Sequence, residues 1–281
     1  MKHTKSILFV LLSLLVFACN NLKSINQQIT DAGAQEKKDT PTNTEIEMQD
    51  TGQQFLLQKH QDGIDFYATG NEPSWSLDMD IDKGFHFKTM NGVDFSAPAV
   101  DPTKSADGKL TIYTIATESG EMTVILDHTP CTDTMKGDTH TYTVSVDFIT
   151  TKEANLKRFE GCGAYVPNYT LHDIWAITEV EGVALNPADF TTKYPQLELS
   201  TTTGTVFGND GCNTFRGLFE MRPNELVFGN LAGTMMACPN MDISAKITKA
   251  LANKTVSYVL ENNRLVFMEN GKPSLKFKKV D

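Results

Sequence analysis

"GNDGCNTFRG", residues 208–217, sets one cysteine among three glycines and two asparagines, with Arg216 close behind. Three readings of Cys212 compete: a nucleophile in a glycine-rich elbow, a metal ligand, or half of a disulfide. A thiol nucleophile needs a base, usually histidine, and the thiolate form. The one histidine beyond residue 162 is His172, in a predicted strand. A phosphate loop needs a lysine and a strand–loop–helix setting; "GNDG" has no lysine. The disulfide reading depends on the other cysteines.

There are five cysteines: Cys19, Cys131, Cys162, Cys212 and Cys238. Cys19 ends the stretch "MKHTKSILFVLLSLLVFAC", with Lys2 and Lys5 ahead of an apolar run from Ile7 to Phe17. A basic start and a short apolar run ending at small residues read as a secretory signal, residues 1–18. The run is short of the roughly 20 residues a spanning helix needs. "LVFAC" resembles a bacterial lipobox. The resemblance implies cleavage before Cys19, lipidation of that residue with diacylglycerol and an acyl chain such as palmitate, and a membrane as the first partner. Buried methylenes contribute roughly 0.8 kcal/mol each, so several chains anchor firmly. "NNLKS" after Cys19 has no Asp of the inner-membrane retention kind. The expected location is the outer membrane, on its periplasmic face or the cell surface.

With Cys19 lipidated, four cysteines remain in an exported chain, where disulfides persist. Four allow three pairings. A domain boundary near residue 166 selects Cys131 with Cys162 and Cys212 with Cys238. Each bridge closes a loop of about 30 residues and contributes roughly 3–4 kcal/mol in the chain-entropy model.

Composition is that of a globular protein, 40% hydrophobic and 21% charged. Removing residues 1–18 takes away two of 25 basic residues and none of the 35 acidic ones, leaving a formal charge of −12. Such a surface repels nucleic acid, whose phosphates are held by Lys and Arg. Residues 19–52 are polar, without an aromatic and without sustained period, and read as a flexible tether. It spans on the order of 30 Å root-mean-square.

From residue 53 to 166, period-two alternation recurs between frequent turns: "GIDFYATG", "SWSLDMDID", "KLTIYTI", "MTVILDH", "HTYTVSVDF" and "ANLKRF". This predicts an antiparallel barrel or sandwich. "SAPAVDPTKSADGK" reads as a non-strand insertion and "GCGAYVPNYT" as the join between domains. Beyond it, "HDIWAITEV", the hairpin "QLELS"–"TVFGN", "FRGLFEM" and "ELVFG" continue as strands. "NMDISAKITKALANK" is the one predicted helix of the mature chain, with Ile243, Ile247 and Leu251 on one face and Asp242 as N-cap. A three-strand meander closes the chain, its turns at Asn262-Asn263 and Asn270-Gly271. The expected fold class is mainly β with one helix (α+β), in two antiparallel domains, 53–166 and 167–281.

The second domain resembles the META domain family, also called HslJ-like. The matching elements are the Trp-bearing strand "LHDIWAITEV", "GNDGCNTFRG", "LVFGNLAGTMMACP" and "ITKALAN". "ISAK" departs from it, since members often carry an acidic residue there. Residues 55–165 resemble a domain of uncharacterised envelope lipoproteins, through "ATGNEPSWSLDM", "CTDTMKGDTHTYTVSV" and "FEGCGAYV". The combination resembles lipoproteins of Bacteroidota. The resemblance implies a stress-responsive, HslJ-like role in the envelope and no known reaction, so no enzymatic activity and no cofactor are expected.

Metal chemistry has two candidates. Met235, Met236 and Met241 surround Cys238, and soft sulfur suits Cu(I); alternatively these methionines fill a core beside a disulfide, the favoured reading. His128, Cys131 and His140 lack the close paired spacing zinc prefers. No metal site is therefore expected. Glu72 in "GNEPSW" is either a ligand contact or part of a turn leading to a core Trp75. Gly208, Gly211 and Gly217 read as positions without room for a side chain, and Asn213 as a support for buried backbone groups. The expected function is non-catalytic binding of an envelope protein or small ligand. The alternatives are copper handling through the Met/Cys cluster and a lipocalin-like carrier in the first domain.

Overall fold

In the first domain, alternating residues bury one face of a strand after another. Trp75, Leu77 and Met79 point inward from one, Met122, Val124 and Leu126 from a second, and Val144, Val146 and Phe148 from a third. The computed structural model describes residues 43–151, 155–190 and 193–280. The expected signal peptide, Cys19 and the tether as far as residue 42 lie outside the described residues. A helix, α1 (Asn43–Gln61), leads into β1 (Phe66–Asn71), β2 (Ser74–Asp80), β3 (Gly84–Thr89), β4 (Asp94–Pro98) and β5 (Thr103–Lys104). There follow β6 (Leu110–Thr117), β7 (Gly120–Asp127), β8 (Cys131–Thr132), β9 (Thr139–His140), β10 (Tyr142–Thr150) and β11 (Lys157–Tyr165). Nine of these form an antiparallel sheet in the order β4-β3-β2-β1-β11-β10-β7-β6-β5; β8 and β9 make a separate ribbon.

The sheet curls far enough for rings to meet across its interior. Phe95 of β4 lies 5.1 Å from Phe148 of β10, and Phe85 of β3 lies 5.3 Å from Tyr113 of β6, centroid to centroid. The half-barrel is thus closed by side chains rather than by a hydrogen-bonded seam. Its interior is filled by fully buried residues such as Phe66, Phe87, Leu77 and Met122. A carrier barrel needs that space for its cargo, so the lipocalin-like alternative loses its physical basis.

The second domain comprises β12 (Asp173–Val180), β13 (Val183–Ala184), β14 (Gln196–Ser200), β15 (Thr205–Asn209), β16 (Thr214–Arg222) and β17 (Glu225–Gly233). After α2 (Met241–Leu251) come β18 (Thr255–Glu261), β19 (Arg264–Glu269) and β20 (Lys272–Lys279). Here β12 pairs with both β14 and β20. Eight strands therefore close into a ring, with β13 appended to β12. Closure removes the free edges. Helix α2 touches β12 and β20 and also β17, which lies opposite them in the ring. It must cross one end of the barrel, where Ile247 and Leu251 are fully buried.

The fold class holds: mostly antiparallel strands in two domains. The described residues contain two α-helices rather than one, and α1 overlaps the last residues of the expected tether. Its sequence has no apolar stripe, and Phe55 and Leu57 remain partly exposed, at 43% and 41%. Partners distant in sequence hold its end: Lys59 Nζ lies 2.6 and 2.7 Å from the Asp78 carboxylate oxygens, and Phe55 meets Tyr67 edge-on at 5.2 Å. Strand β3 was not anticipated, β4 runs into the expected insertion and β5 falls within it. The first half of "GCGAYVPNYT" is strand, since β11 runs to Tyr165 and the join is residues 166–168. Its glycines serve close strand packing: a Cβ on Gly161 would sit 2.1 Å from the Thr69 carbonyl oxygen. The Asn-bearing turns behave as expected, with Asn262, Asn263, Asn270 and Gly271 all at positive φ. Asp242 is not the cap of α2; that position is Asn240, whose side chain makes no capping bond and instead donates to the Asp189 carbonyl.

Candidate functional site

Three segments of the first domain, 68–79, 131–146 and 159–166, meet at one place. Between β1 and β2, "GNEPSW" turns so tightly that a Cβ on Gly70 would lie 2.0 Å from Trp75 Nε1. That indole N–H donates to the Glu160 carbonyl of β11, 3.2 Å away. The loop 131–140 reaches β11 through sulfur: Cys131 and Cys162 lie at bonding distance, 1.97 Å. Asn71 Nδ2 donates to Asp133 Oδ1, 3.2 Å, tying that loop to the turn. Asp133 Oδ1 also accepts from the backbone N–H groups of Met135 and Lys136, at 2.7 and 2.9 Å. Those backbone donors hold its carboxyl below the usual carboxylate range, because they bind the ionised form. Glu72 is exposed in the turn, while Trp75 is buried in the core, 4% exposed.

The β1–β2 turn and the 131–140 loop form one wall of a cleft of about 690 Å³. Residues at the β3–β4 turn form the other, among them Lys88, Met90 and Asp94. Asp94 accepts from His86 Nε2 at 2.8 Å and lies 3.4 Å from Lys88 Nζ. The hydrogen bond from His86 is the main cause of its lowered pKa. The volume falls in the range of roughly 300–1,000 Å³ usual for small-molecule sites. Asn71, Asp133, Lys88 and Lys136 were not singled out from sequence. The Asx-turn pattern of "CTDTMKGD" was the available signal for Asp133.

In the second domain, Cys212 and Cys238 are 2.05 Å apart, so Cys212 is not a free thiolate. The turn is organised by Asp210, buried at 3% exposure, whose Oδ1 accepts from the N–H groups of Cys212 and Asn213 at 2.9 and 2.6 Å. Asn213 reaches across to residue 236: its Oδ1 accepts from Met236 N at 2.6 Å and its Nδ2 faces Met236 O at 3.5 Å. The side-chain amide thus pairs with the backbone as a neighbouring strand would. The glycines follow expectation. A Cβ on Gly208 would meet the Phe215 ring at 2.6 Å, and one on Gly217 would meet Leu231 at 2.5 Å. Gly211 sits at φ +90 beside the Phe190 ring. His172 Nδ1 accepts from Thr201 N, 3.2 Å.

Both readings of the methionines need correction. Met235, Met236 and Met241 are exposed, at 98%, 55% and 54%, so they fill no core. Cys238, bonded to Cys212, supplies no thiolate for Cu(I). His128, Cys131 and His140 also have separate roles. His140 stands opposite Cys131 in the β8–β9 ribbon and meets Tyr67 edge-on. His128 stacks on Tyr142 at 5.0 Å and approaches Glu220 of the second domain, Nε2 to Oε2 3.2 Å.

Glu220 joins the domains. Its Oε1 accepts from the Tyr142 hydroxyl at 2.9 Å and from Arg222 Nε at 3.1 Å. Nearby, Asn168 Nδ2 donates to the Tyr258 hydroxyl at 3.1 Å. Nothing local in sequence marks Glu220, since its partner Tyr142 is 78 residues away.

The geometry defines a two-domain β protein with a disulfide-tied cleft in a half-barrel, followed by a closed barrel capped by a helix. Residues 169–281, which form the closed barrel, match the family model described as META domain. Two solved NMR structures are similar to the chain. One is 21% identical, covering 39% of this chain and 90% of its own, with a TM-score of 0.33. The other, of a protein from Burkholderia xenovorans, is 26% identical, covering 40% and 85%, with a TM-score of 0.32. No curated protein matches the chain. Among the described residues, no helix is long and apolar enough to cross a membrane.

Proposed function

We propose that this chain is an envelope lipoprotein, anchored through acylated Cys19 in the outer membrane, that binds a ligand without turning it over and serves a stress-linked, HslJ-like role. The observation that carries the binding reading is the convergence of "GNEPSW" and the 131–140 loop on one cleft, both tied from behind to β11. A turn, a loop and a strand from distant parts of the chain are tied there by a disulfide, an indole hydrogen bond and a carboxylate that takes three donors. Such ties hold polar groups in fixed positions before a ligand arrives, which lowers the cost of binding. The META domain supports the stress-linked part of the reading.

Two measurements test it. Metabolic labelling with radioactive palmitate is expected to mark the full chain and not Cys19→Ser; equal labelling of both would overturn the anchor. Soluble protein from residue 20 onward is then screened for turnover against glycosidase, peptidase and esterase substrates. Activity that survives purification and metal chelation would refute the binding-only role.

A further inference from the structure

We infer that the cleft of the first domain takes a neutral, hydroxyl-rich ligand, a short saccharide. This rests on the cleft being the binding site proposed above. The charges around it decide against an ionic ligand. Two ammonium groups, Lys88 and Lys136, face two carboxylates, Asp94 and Asp133. Asp94 is already engaged by His86 and Lys88, and Asp133 Oδ1 by three N–H donors. An anion would meet as much negative as positive charge, within a chain of formal charge −10. A cation would have to compete for carboxylates that are already hydrogen-bonded.

What the cleft offers instead is a mixture of single donors and acceptors. Thr69, Ser74, Ser76 and Thr89 bring hydroxyls, each able to donate and accept. Asn71 gives its N–H to Asp133, which leaves its carbonyl oxygen as an acceptor. Lys136 brings a donor. A saccharide hydroxyl also donates and accepts, so it matches such a wall without a net charge. Between these groups lie Met90 and Val93, apolar surface suited to the C–H face of a sugar ring, with only an edge of the buried Trp75 reaching the cleft. A wholly apolar ligand would leave the hydroxyls and the ammonium groups desolvated and unpaired.

The chain carries its own internal reference. It has two tryptophans: Trp75 lines the cleft, and Trp175 lies in the barrel core at 1% exposure. The disulfide-intact chain from residue 20, labelled at the indole nitrogens, gives one NMR signal from each. They are assigned with Trp175→Phe. Probes are a panel of neutral oligosaccharides, oligogalacturonate as the anionic counterpart, and a fatty acid as the apolar one. A neutral oligosaccharide is expected to shift the Trp75 signal, leave Trp175 in place, and bind about tenfold more weakly to Lys136→Ala. If oligogalacturonate or the fatty acid shifts Trp75 and no neutral sugar does, the saccharide assignment falls while the cleft stands. If no probe of any class moves Trp75, the assignment falls together with the cleft as a small-molecule site.

Discussion

The two domains solve the same problem, an antiparallel sheet with one face to bury, in opposite ways. The second closes its ring with a backbone ladder, β12 against β20, from Trp175 opposite Lys279 to Val180 opposite Leu275. The first leaves its end strands unpaired with each other and relies on rings packed across the interior. A ladder is cooperative and local in its effect. A ring cluster concentrates closure in a few residues. The comparison locates where each domain is vulnerable: the half-barrel in its core, the closed barrel in its ladder.

The most severe test removes one of those rings. Phe87 is fully buried and touches Trp75, Phe148 and Phe159 at centroid distances of 5.9, 5.7 and 5.2 Å. Phe87→Ala is expected to cost about 3–5 kcal/mol. Calorimetry should then show the first domain melting ahead of the second as two resolved transitions. A single, uniformly shifted transition would mean that the domains do not differ in this way.

The disulfides sharpen the comparison because their loops are nearly equal, with sequence separations of 31 and 26. Chain entropy alone assigns each about 3–4 kcal/mol. Replacing either pair by serine should therefore lower stability by similar amounts in urea titrations. The structural consequences should differ. Cys131→Ser with Cys162→Ser frees the β8–β9 ribbon, which lies outside the main sheet, and should raise amide exchange around Asp133. In the second domain Asn213 still holds residue 236 when sulfur is gone, so exchange there should rise less. Equal exchange at the two sites would refute this distinction.

Alkaline pH probes the rings again. Burial pushes the Tyr67 hydroxyl up to about 12, and raises Tyr113, Tyr142 and Tyr165 as well. Tyr142 and Tyr165 are raised beyond Tyr67. For a group whose folded value is raised, the stabilisation is intact below the unfolded value, 10.0 here, and is lost as pH climbs through the folded one. Each such tyrosine makes stability fall by roughly 1.4 kcal/mol per pH unit across that window. The second domain has raised tyrosines too, Tyr169, Tyr194 and Tyr258, but the three large shifts, at Tyr67, Tyr142 and Tyr165, all belong to the first. Its melting temperature should drop faster between pH 10 and 12 than that of the second, followed by calorimetry with tyrosinate absorbance near 295 nm.

How much of this was legible in the sequence follows the same divide. Alternation is a local signal, and it marked β2, β7 and β10, whose inward residues recur every second position. The hairpin turns at Asn262-Asn263 and Asn270-Gly271 were readable because positive φ restricts residue type. Helix α1 was not readable, because contacts such as Lys59 with Asp78 secure it, not its own pattern. The join was drawn too wide because Gly161 and Gly163 looked like loop residues, whereas they are strand residues that let β1 come close. At the site, cysteine count and domain order were enough to anticipate both sulfur pairs. The cleft was hidden, since it is made by residues 71, 88, 94, 133 and 136 brought together by topology. The methionines around Cys238 misled, since thioethers on a surface and in a core have the same letters.

The smallest expected effect concerns what joins the unequal domains. Tyr142 belongs to the half-barrel core and is only 5% exposed, yet its hydroxyl donates to Glu220 of the closed barrel. A hydrogen bond to a charged acceptor contributes roughly 1.5–3 kcal/mol. Glu220 keeps Arg222 and His128 when that hydroxyl is removed, so Tyr142→Phe is expected to cost about 1–2 kcal/mol. The ring remains to pack against Phe66 and Tyr165, which separates the lost bond from a lost core residue. Glu220→Gln, combined with it in a double-mutant cycle, should show a coupling of about 1 kcal/mol. If the bond transmits stability between the domains, Tyr142→Phe should also separate their two melting transitions further. A coupling near zero would mean that this bond does not help to join the domains, which are then held by the chain and by contacts such as His60 with Tyr169.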